Sequence, residues 1–280
     1  MKEYNKYVIS TEPFEFDTIS GLMWELAIDG LYEYDNYLEI YGDKEKLNEQ
    51  EVIDYLEELV EDGIIASFDL SSEKVENKNW NEEWEKNLNI IKPGEKIVIR
   101  PVNKEYHPLE GEIVIDLDPK MSFGTGEHET TKLMVQMVER HIKSGDTVLD
   151  VGSGTGILAI AAYKLGATKA IAIDNDEWCL INGEENIEKN NCSEAVKFVL
   201  GEIKDITESN FDVVLANINK HILLDIKEEL YAKTGDGKLT ILSGLLDVDE
   251  EDILDAFSSL GFTLVEVLHL NEWISIVFQK

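Results

Sequence analysis

Leu149-Asp150-Val151-Gly152-Ser153-Gly154-Thr155-Gly156 is a hydrophobic strand running into a glycine-rich turn, and the run Ile157 to Leu165 behind it reads as a helix. Glycines let such a turn bend sharply and bring backbone N–H groups close to a ligand. The helix behind the turn offers unpaired N–H groups and the positive end of its dipole. A turn built this way holds a nucleotide-like cofactor, although the same turn can also merely join a strand to a helix. The segments around it decide which.

Downstream, strands and helices alternate: strand 169–174, helix 176–190, strand 196–200, strand 212–216, helix 220–232, strand 238–243, helix 249–259. With strand 147–151 and helix 156–165 they predict an α/β, doubly wound, mostly parallel sheet. Phe262 to Leu270 and Trp273 to Gln279 follow as two more strands, for seven in all. The turn at Asn271-Glu272 is too short for a crossover, so this last pair is antiparallel. Upstream, strands at Lys96 to Val102 and Glu112 to Leu117 precede a second glycine loop, Ser122 to Glu127, which opens a helix to about His141.

Residues 1–75 form a separate pattern. Strand Tyr4 to Ser10, helix Phe14 to Ala27, strands Leu31 to Tyr34 and Tyr37 to Tyr41 around an Asp35-Asn36 turn, a helix capped by Asn48 with Glu51, and strand Ile64 to Leu70 give the order βαββαβ. That order predicts a small ferredoxin-like α+β domain. Residues 76–92, with Trp80 and Trp84 one helical turn apart, read as a linker helix to a catalytic domain over 93–280.

Composition narrows the partners. The formal charge of −33 argues against broad phosphate-backbone binding, which needs Lys and Arg, and permits a cationic protein partner. An acidic, solvated surface unrelated to function is the simpler account of the charge. Cys179 and Cys192 have no metal-ligand spacing and read as free thiols of a reducing compartment. No signal-like or membrane-spanning apolar run is present, so a cytoplasmic protein without a membrane partner, and a monomer, is expected.

The glycine turn departs from the dinucleotide fingerprint, because its third slot is Ile157 rather than Gly or Ala. Gly152, Gly154 and Gly156, with Asp150 two residues ahead, instead resemble motif I of class I S-adenosylmethionine-dependent methyltransferases. An acid beside the turn repels a pyrophosphate and suits a cofactor with an ammonium and a sulfonium. Asp174 ends the next strand, where a carboxylate can accept both ribose hydroxyls, and Asp176 is placed to cap the following helix. Asn217 ends the strand Phe211 to Ala216, at the sheet edge where ligands bind, and its amide could hold the amine that receives a methyl group or simply cap a turn. His128 has acids only as sequence neighbours, so no metal site is expected.

The loop Phe123-Gly124-Thr125-Gly126-Glu127-His128-Glu129-Thr130-Thr131, the motif-I turn and Leu215-Ala216-Asn217-Ile218 together resemble the ribosomal protein L11 methyltransferases, the PrmA family. Asn79 to Trp84, Ser243-Gly244-Leu245-Leu246 and Gly261 through Trp273 extend the resemblance. It implies S-adenosylmethionine as cofactor, a seven-stranded methyltransferase sheet, and methylation of lysine side chains or the N-terminal amine of ribosomal protein L11. It places cofactor contacts on Thr131, Gly152, Asp174 and Asn217, with Asp150 and Gly154 in the turn and Phe123, Gly124, Thr125 and Gly126 over the methyl donor. Glu202, after Gly201, becomes a candidate for the adenine side. Methylation of another protein or a small amine, a nicotinamide-dependent oxidoreductase, and a non-catalytic binding module remain the competing readings.

Overall fold

The computed structural model describes residues 4–14, 16–34, 36–44, 46–74, 89–118, 120, 122 and 124–280. Most of the expected linker helix, with Trp80 and Trp84, lies outside these residues, as does Phe123. Residues 89–92 are not helical; Ile91 instead bridges Ile99 in antiparallel fashion. The chain divides into two units, Met1–Trp80 and Asn81–Lys280.

The first unit runs β1 (Tyr4–Glu12), α1 (Phe16–Met23), β2 (Gly30–Glu33), β3 (Leu38–Asp43), α2 (Glu49–Glu61) and β4 (Ser67–Lys74). Its sheet has the order β2-β3-β1-β4, antiparallel throughout, as a ferredoxin-like split βαβ requires. Alternate strand residues Tyr7, Ile9, Leu38 and Ile40 are buried against Ile19 and Met23 of α1 and Val52, Leu56 and Leu59 of α2. Asn48 and Glu51 form the expected capping box.

Among the boundaries that differ from the sequence reading, two have a clear cause in the hydrogen bonding. Helix α1 stops at Met23, four residues short of Ala27, because Trp24, Glu25 and Leu26 bond back three residues and tighten the chain out of the α-helix. Ile64 and Ile65 do not begin a strand. Their N–H groups close the end of α2 on Leu59 O, past Gly63 in the left-handed region, and β4 starts only at Ser67.

The second unit opens with β5 (Ile97–Pro101) and β6 (Ile113–Leu117), a parallel pair. Then come α3 (Glu129–His141), β7 (Thr147–Val151), α4 (Ile157–Lys164), β8 (Lys169–Asp174), α5 (Glu177–Lys189), β9 (Val196–Leu200) and β10 (Phe211–Asn217). Two short helices, α6 (Lys220–Asp225) and α7 (Lys227–Lys233), replace the single helix expected over 220–232, with the break at Ile226. The chain ends with β11 (Thr234–Leu246), α8 (Glu250–Ser258), β12 (Thr263–Leu270) and β13 (Trp273–Gln279).

The seven-stranded sheet has the order β12-β13-β11-β10-β7-β8-β9. β7 through β11 pair in parallel, and β13 inserts antiparallel between β11 and β12, as the short final turn demands. Val148, Ala170, Ala172, Val213 and Leu215 face α3, α4 and α5, while Leu149, Ile171, Val214 and Leu242 face Leu223, Leu230 and Phe257 on the other side. The strand order reverses between β7 and β10. In open α/β sheets the crevice at such a reversal, beyond the carboxyl ends of the strands, is where ligands sit. Here it falls between the motif-I turn after β7 and Asn217 at the end of β10.

Candidate functional site

A cleft of about 600 Å³ occupies this crevice, lined among others by Gly152, Gly154, Asp174, Asn217, Ser122 and Trp273. A second cavity of about 340 Å³ lies beside it, reaching Gly201, Glu202, Ile203 and Glu229. The two share Gly152, Asp174, Asn175, Ile218 and Ile222, so they form one elongated groove with Asp174 at its middle.

The motif-I turn is built by its neighbours as much as by its glycines. Gly152 N–H and Ser153 N–H both donate to Ile173 O, carrying the hydrogen bonding of β8 into the turn. Gly154 N–H donates to Asp174 Oδ2 at 2.9 Å, and Asp176 N–H to its Oδ1 at 3.2 Å. Asp176 caps α5 through Trp178 N–H, as its position foretold. Gly152 and Gly244, both in the left-handed region, flank Ile218: a Cβ on Gly152 would lie 2.3 Å from Ile218 Cγ2, and one on Gly244 2.5 Å from Ile218 O. Only glycine allows both neighbours to approach the segment after Asn217 this closely.

Asp150 stands elsewhere than the sequence reading expects. It is fully buried behind the turn and does not line the cleft. Its Oδ2 accepts from Ser153 Oγ–H and from Ala159 N–H, so it ties the turn to the first helical turn of α4. Burial pushes its pKa up to about 7, against the opposing pull of those two hydrogen bonds. Its other oxygen has no partner.

The second glycine loop also differs in how it contributes. Gly124, Thr125 and Gly126 do not line the cleft; Ser122, His128 and Thr130 do. Thr155 Oγ–H donates to Gly124 O at 2.9 Å, which fastens this loop to the motif-I turn. Gly126 packs against Ile99. His128 caps α3, accepting Thr130 N–H on Nδ1, and meets Trp273 edge-on with ring centroids 4.8 Å apart. Thr131 is buried with its Oγ1 unpartnered and lies outside the cleft lining.

An asparagine ladder that the sequence reading did not single out supports the approach to this loop. Asn182 and Asn186 on α5 and Asn190 at its C-cap stand four residues apart. Asn190 brackets Asp116, accepting its N–H at 3.0 Å and donating to its carbonyl at 2.6 Å. Asn186 accepts Asp118 N–H and donates to Thr155 O, while Asn182 donates to Asp118 O. Asparagine is a poor residue for a helix interior; three of them at one-turn spacing were the available signal.

Asn217 lines the cleft with Oδ1 buried and without a partner. Glu202 lines the second cavity, but more than half of its side chain is exposed and its carboxylate pairs with Lys204 Nζ at 2.5 Å. Exposed Trp178 and Asn175 and buried Cys179 complete the rim, and burial raises the Cys179 pKa so that it stands as a neutral thiol. Among the described residues no group of His, Cys, Asp and Glu is arranged to hold a metal ion, and no helix is long and apolar enough to cross a membrane.

Known proteins share these features. Residues 26–280 match the family described as ribosomal protein L11 methyltransferase (PrmA). The ribosomal protein L11 methyltransferase of Macrococcus caseolyticus is 35% identical over 264 residues, covering 93% of this chain and 85% of that protein. Its counterpart in Clostridium perfringens strain SM101 is 34% identical over 263 residues, covering 91% and 84%. The crystal structure of a ribosomal protein L11 methylase from Lactobacillus delbrueckii subsp. bulgaricus superposes with a TM-score of 0.63 at 31% identity, covering 68% of this chain and 97% of that one.

Proposed function

This chain belongs to the PrmA family of ribosomal protein L11 methyltransferases, and from that membership and the groove we infer that it methylates amines of ribosomal protein L11 with S-adenosylmethionine. The observation that carries the reading is Asn217, which ends β10 in the lining of the cleft beside the motif-I turn, with its Oδ1 buried and without a hydrogen-bond partner among the described residues. A buried acceptor without a partner is costly. An amine N–H from an acceptor side chain satisfies it.

The residues present fit the cofactor. The groove is elongated, glycine-walled at Gly152 and Gly154, and carries a carboxylate at its middle, Asp174, where a ribose would sit. When bound, S-adenosylmethionine supplies a methyl group already activated on a sulfonium. Asn217 then orients the attacking nitrogen by accepting one of its N–H bonds, leaving the lone pair aimed along the line of transfer. The acceptor lysine, with an ordinary pKa of about 10.4, must arrive neutral. The apolar and aromatic rim at Ile218, Ile222 and Trp273 disfavours the charged ammonium by excluding water. No strong base is needed at the reacting nitrogen, because burial shifts the lysine equilibrium and the proton leaves to solvent.

Beyond that chemistry, we assign Met1 to about residue 75 to recognition of the substrate protein, lysine side chains or the N-terminal amine as the methylated groups, and the cytoplasm as the working compartment of a monomer. The experiment is direct: purified enzyme, labelled S-adenosylmethionine and large ribosomal subunits, with the labelled protein identified by mass. Label confined to ribosomal protein L11 supports the reading. Label on another protein or on a small amine replaces the substrate and leaves the chemistry in place.

A further inference from the structure

We propose that Glu229 is the residue that makes the second cavity specific for an adenine base. The proposal rests on the cofactor reading above and names the part of the groove that reads the base. Val151, Ile173 and Ile203 give this cavity buried aliphatic walls, with Ile218, Ile222 and Ile226 around them. A flat heteroaromatic ring fits walls of this kind. Because Asp174 is common to both cavities, a ligand with its ribose at that carboxylate puts its base here and its amino-acid end on the Asn217 side.

Within these walls the polar groups differ in kind. Glu202 is largely solvated and its carboxylate is taken by Lys204. Glu229, on α7, also lines the cavity, and its Oε2 is buried and has no hydrogen-bond partner among the described residues. An unpartnered, buried carboxylate oxygen can only accept. It therefore selects a base whose edge donates. The exocyclic amine of adenine donates there; a 6-oxopurine sets its carbonyl against that acceptor and carries its edge donor one atom away, at N1. A polar site built to receive a donor rejects the analogue lacking it more sharply than any apolar wall can.

Calorimetric titration with S-adenosylhomocysteine and its deaminated counterpart, S-inosylhomocysteine, tests the assignment. The two ligands differ only at the edge that Glu229 would read. The wild-type enzyme is expected to favour the adenine ligand at least about tenfold. Glu229→Gln is nearly isosteric and gives the position a donor as well as an acceptor, so the preference should shrink to within about threefold or invert. Equal wild-type affinity for both ligands overturns the proposal without needing any variant. An undiminished preference in Glu229→Gln overturns it too, and leaves the cofactor reading standing. A folded wild-type enzyme that binds neither ligand overturns the cofactor reading and this assignment with it.

Discussion

Gly154 N–H donates to Asp174 Oδ2 at 2.9 Å, so the carboxylate at the end of β8 holds the glycine turn that follows β7. The acid proposed to bind a ribose is thus also part of the frame. A carboxylate has about four acceptor sites and can serve both tasks at once. Asp174→Asn keeps one acceptor oxygen and removes the charge. It should weaken S-adenosylhomocysteine binding roughly tenfold or more and cost less stability than Asp174→Ala, because one of the Gly154 and Asp176 N–H groups keeps its acceptor. Asp174→Ala should lose binding and also about 1–2 kcal/mol of stability, because the N–H groups of Gly154 and Asp176 then both lose this acceptor. Titration calorimetry and thermal melts on the two variants separate the roles.

The proposed role of Asn217 is at the reacting nitrogen rather than at the cofactor. Asn217→Ala should reduce turnover on ribosomal protein L11 about a hundredfold, with cofactor affinity within about threefold of wild type. Unchanged turnover in this variant removes Asn217 from the mechanism.

Asp150 predicts a pH dependence. Its folded pKa of about 7 lies above its unfolded value near 3.9, so the folded state holds a proton that the unfolded state releases. The stabilisation from that proton is complete below about pH 4 and is lost as pH rises through about 7. The unliganded enzyme should therefore lose stability from this group between those limits, on the order of 4 kcal/mol at most. Asp150→Asn stays neutral and can still accept from Ser153 and Ala159. Subtracting its stability curve, measured by urea denaturation from pH 4 to 8, isolates the effect; parallel curves would show that Asp150 does not titrate in this range.

The two glycines flanking Ile218 should differ when mutated. At Gly244 an added Cβ meets backbone, Ile218 O at 2.5 Å and C at 2.8 Å, and φ is +81°. At Gly152 it meets the tip of a side chain, Ile218 Cγ2 at 2.3 Å, with φ at +69°. Gly244→Ala should cost roughly 2–4 kcal/mol and displace Asn217, lowering turnover as well as stability. Gly152→Ala should cost about half as much stability, since Ile218 can change rotamer. Equal losses in chemical denaturation would contradict this difference between backbone and side-chain contact.

The charge of −33 makes a kinetic prediction. If the acidic surface draws in a lysine-rich substrate, the KM for ribosomal protein L11 should rise severalfold between low salt and about 0.5 M salt, while kcat holds. A salt-independent KM assigns the acidity to solvation alone.

Much of the fold could be read from the chain because its signals are local. The strand-to-helix turn at 149–157, the capping box at Asn48 and Glu51, the cap at Asp176 and the short reversal at Asn271-Glu272 each depend on a few neighbouring residues. Their spacing specified the element order, the parallel sheet and the final antiparallel pair. Boundaries slipped where tertiary or capping bonds intervened, as at Ile64 and Ile65, which close α2 instead of starting β4. Helix 220–232 broke at Ile226 without a proline or glycine to mark it.

The site divides along the same line. Gly152, Gly154, Asp174 and Asn217 reach the groove because turn residues and strand ends at one sheet edge converge whatever the details of packing. Depth and contact across the fold are not written in spacing. Asp150 lies in the same motif yet is buried behind it, since its strand position faces α4. Gly124 serves as an anchor for Thr155, and the asparagines of α5 hold the backbone of Asp116 and Asp118 more than sixty residues away. Glu229 and Ile203 line one cavity only because α7 packs against the short turn after β9. The sequence by itself determined the two domain types, the cofactor-binding turn and the strand-end residues, through interactions that span a few positions. Only the tertiary structure decided which oxygens are buried without partners, because that depends on distant segments excluding water from one another.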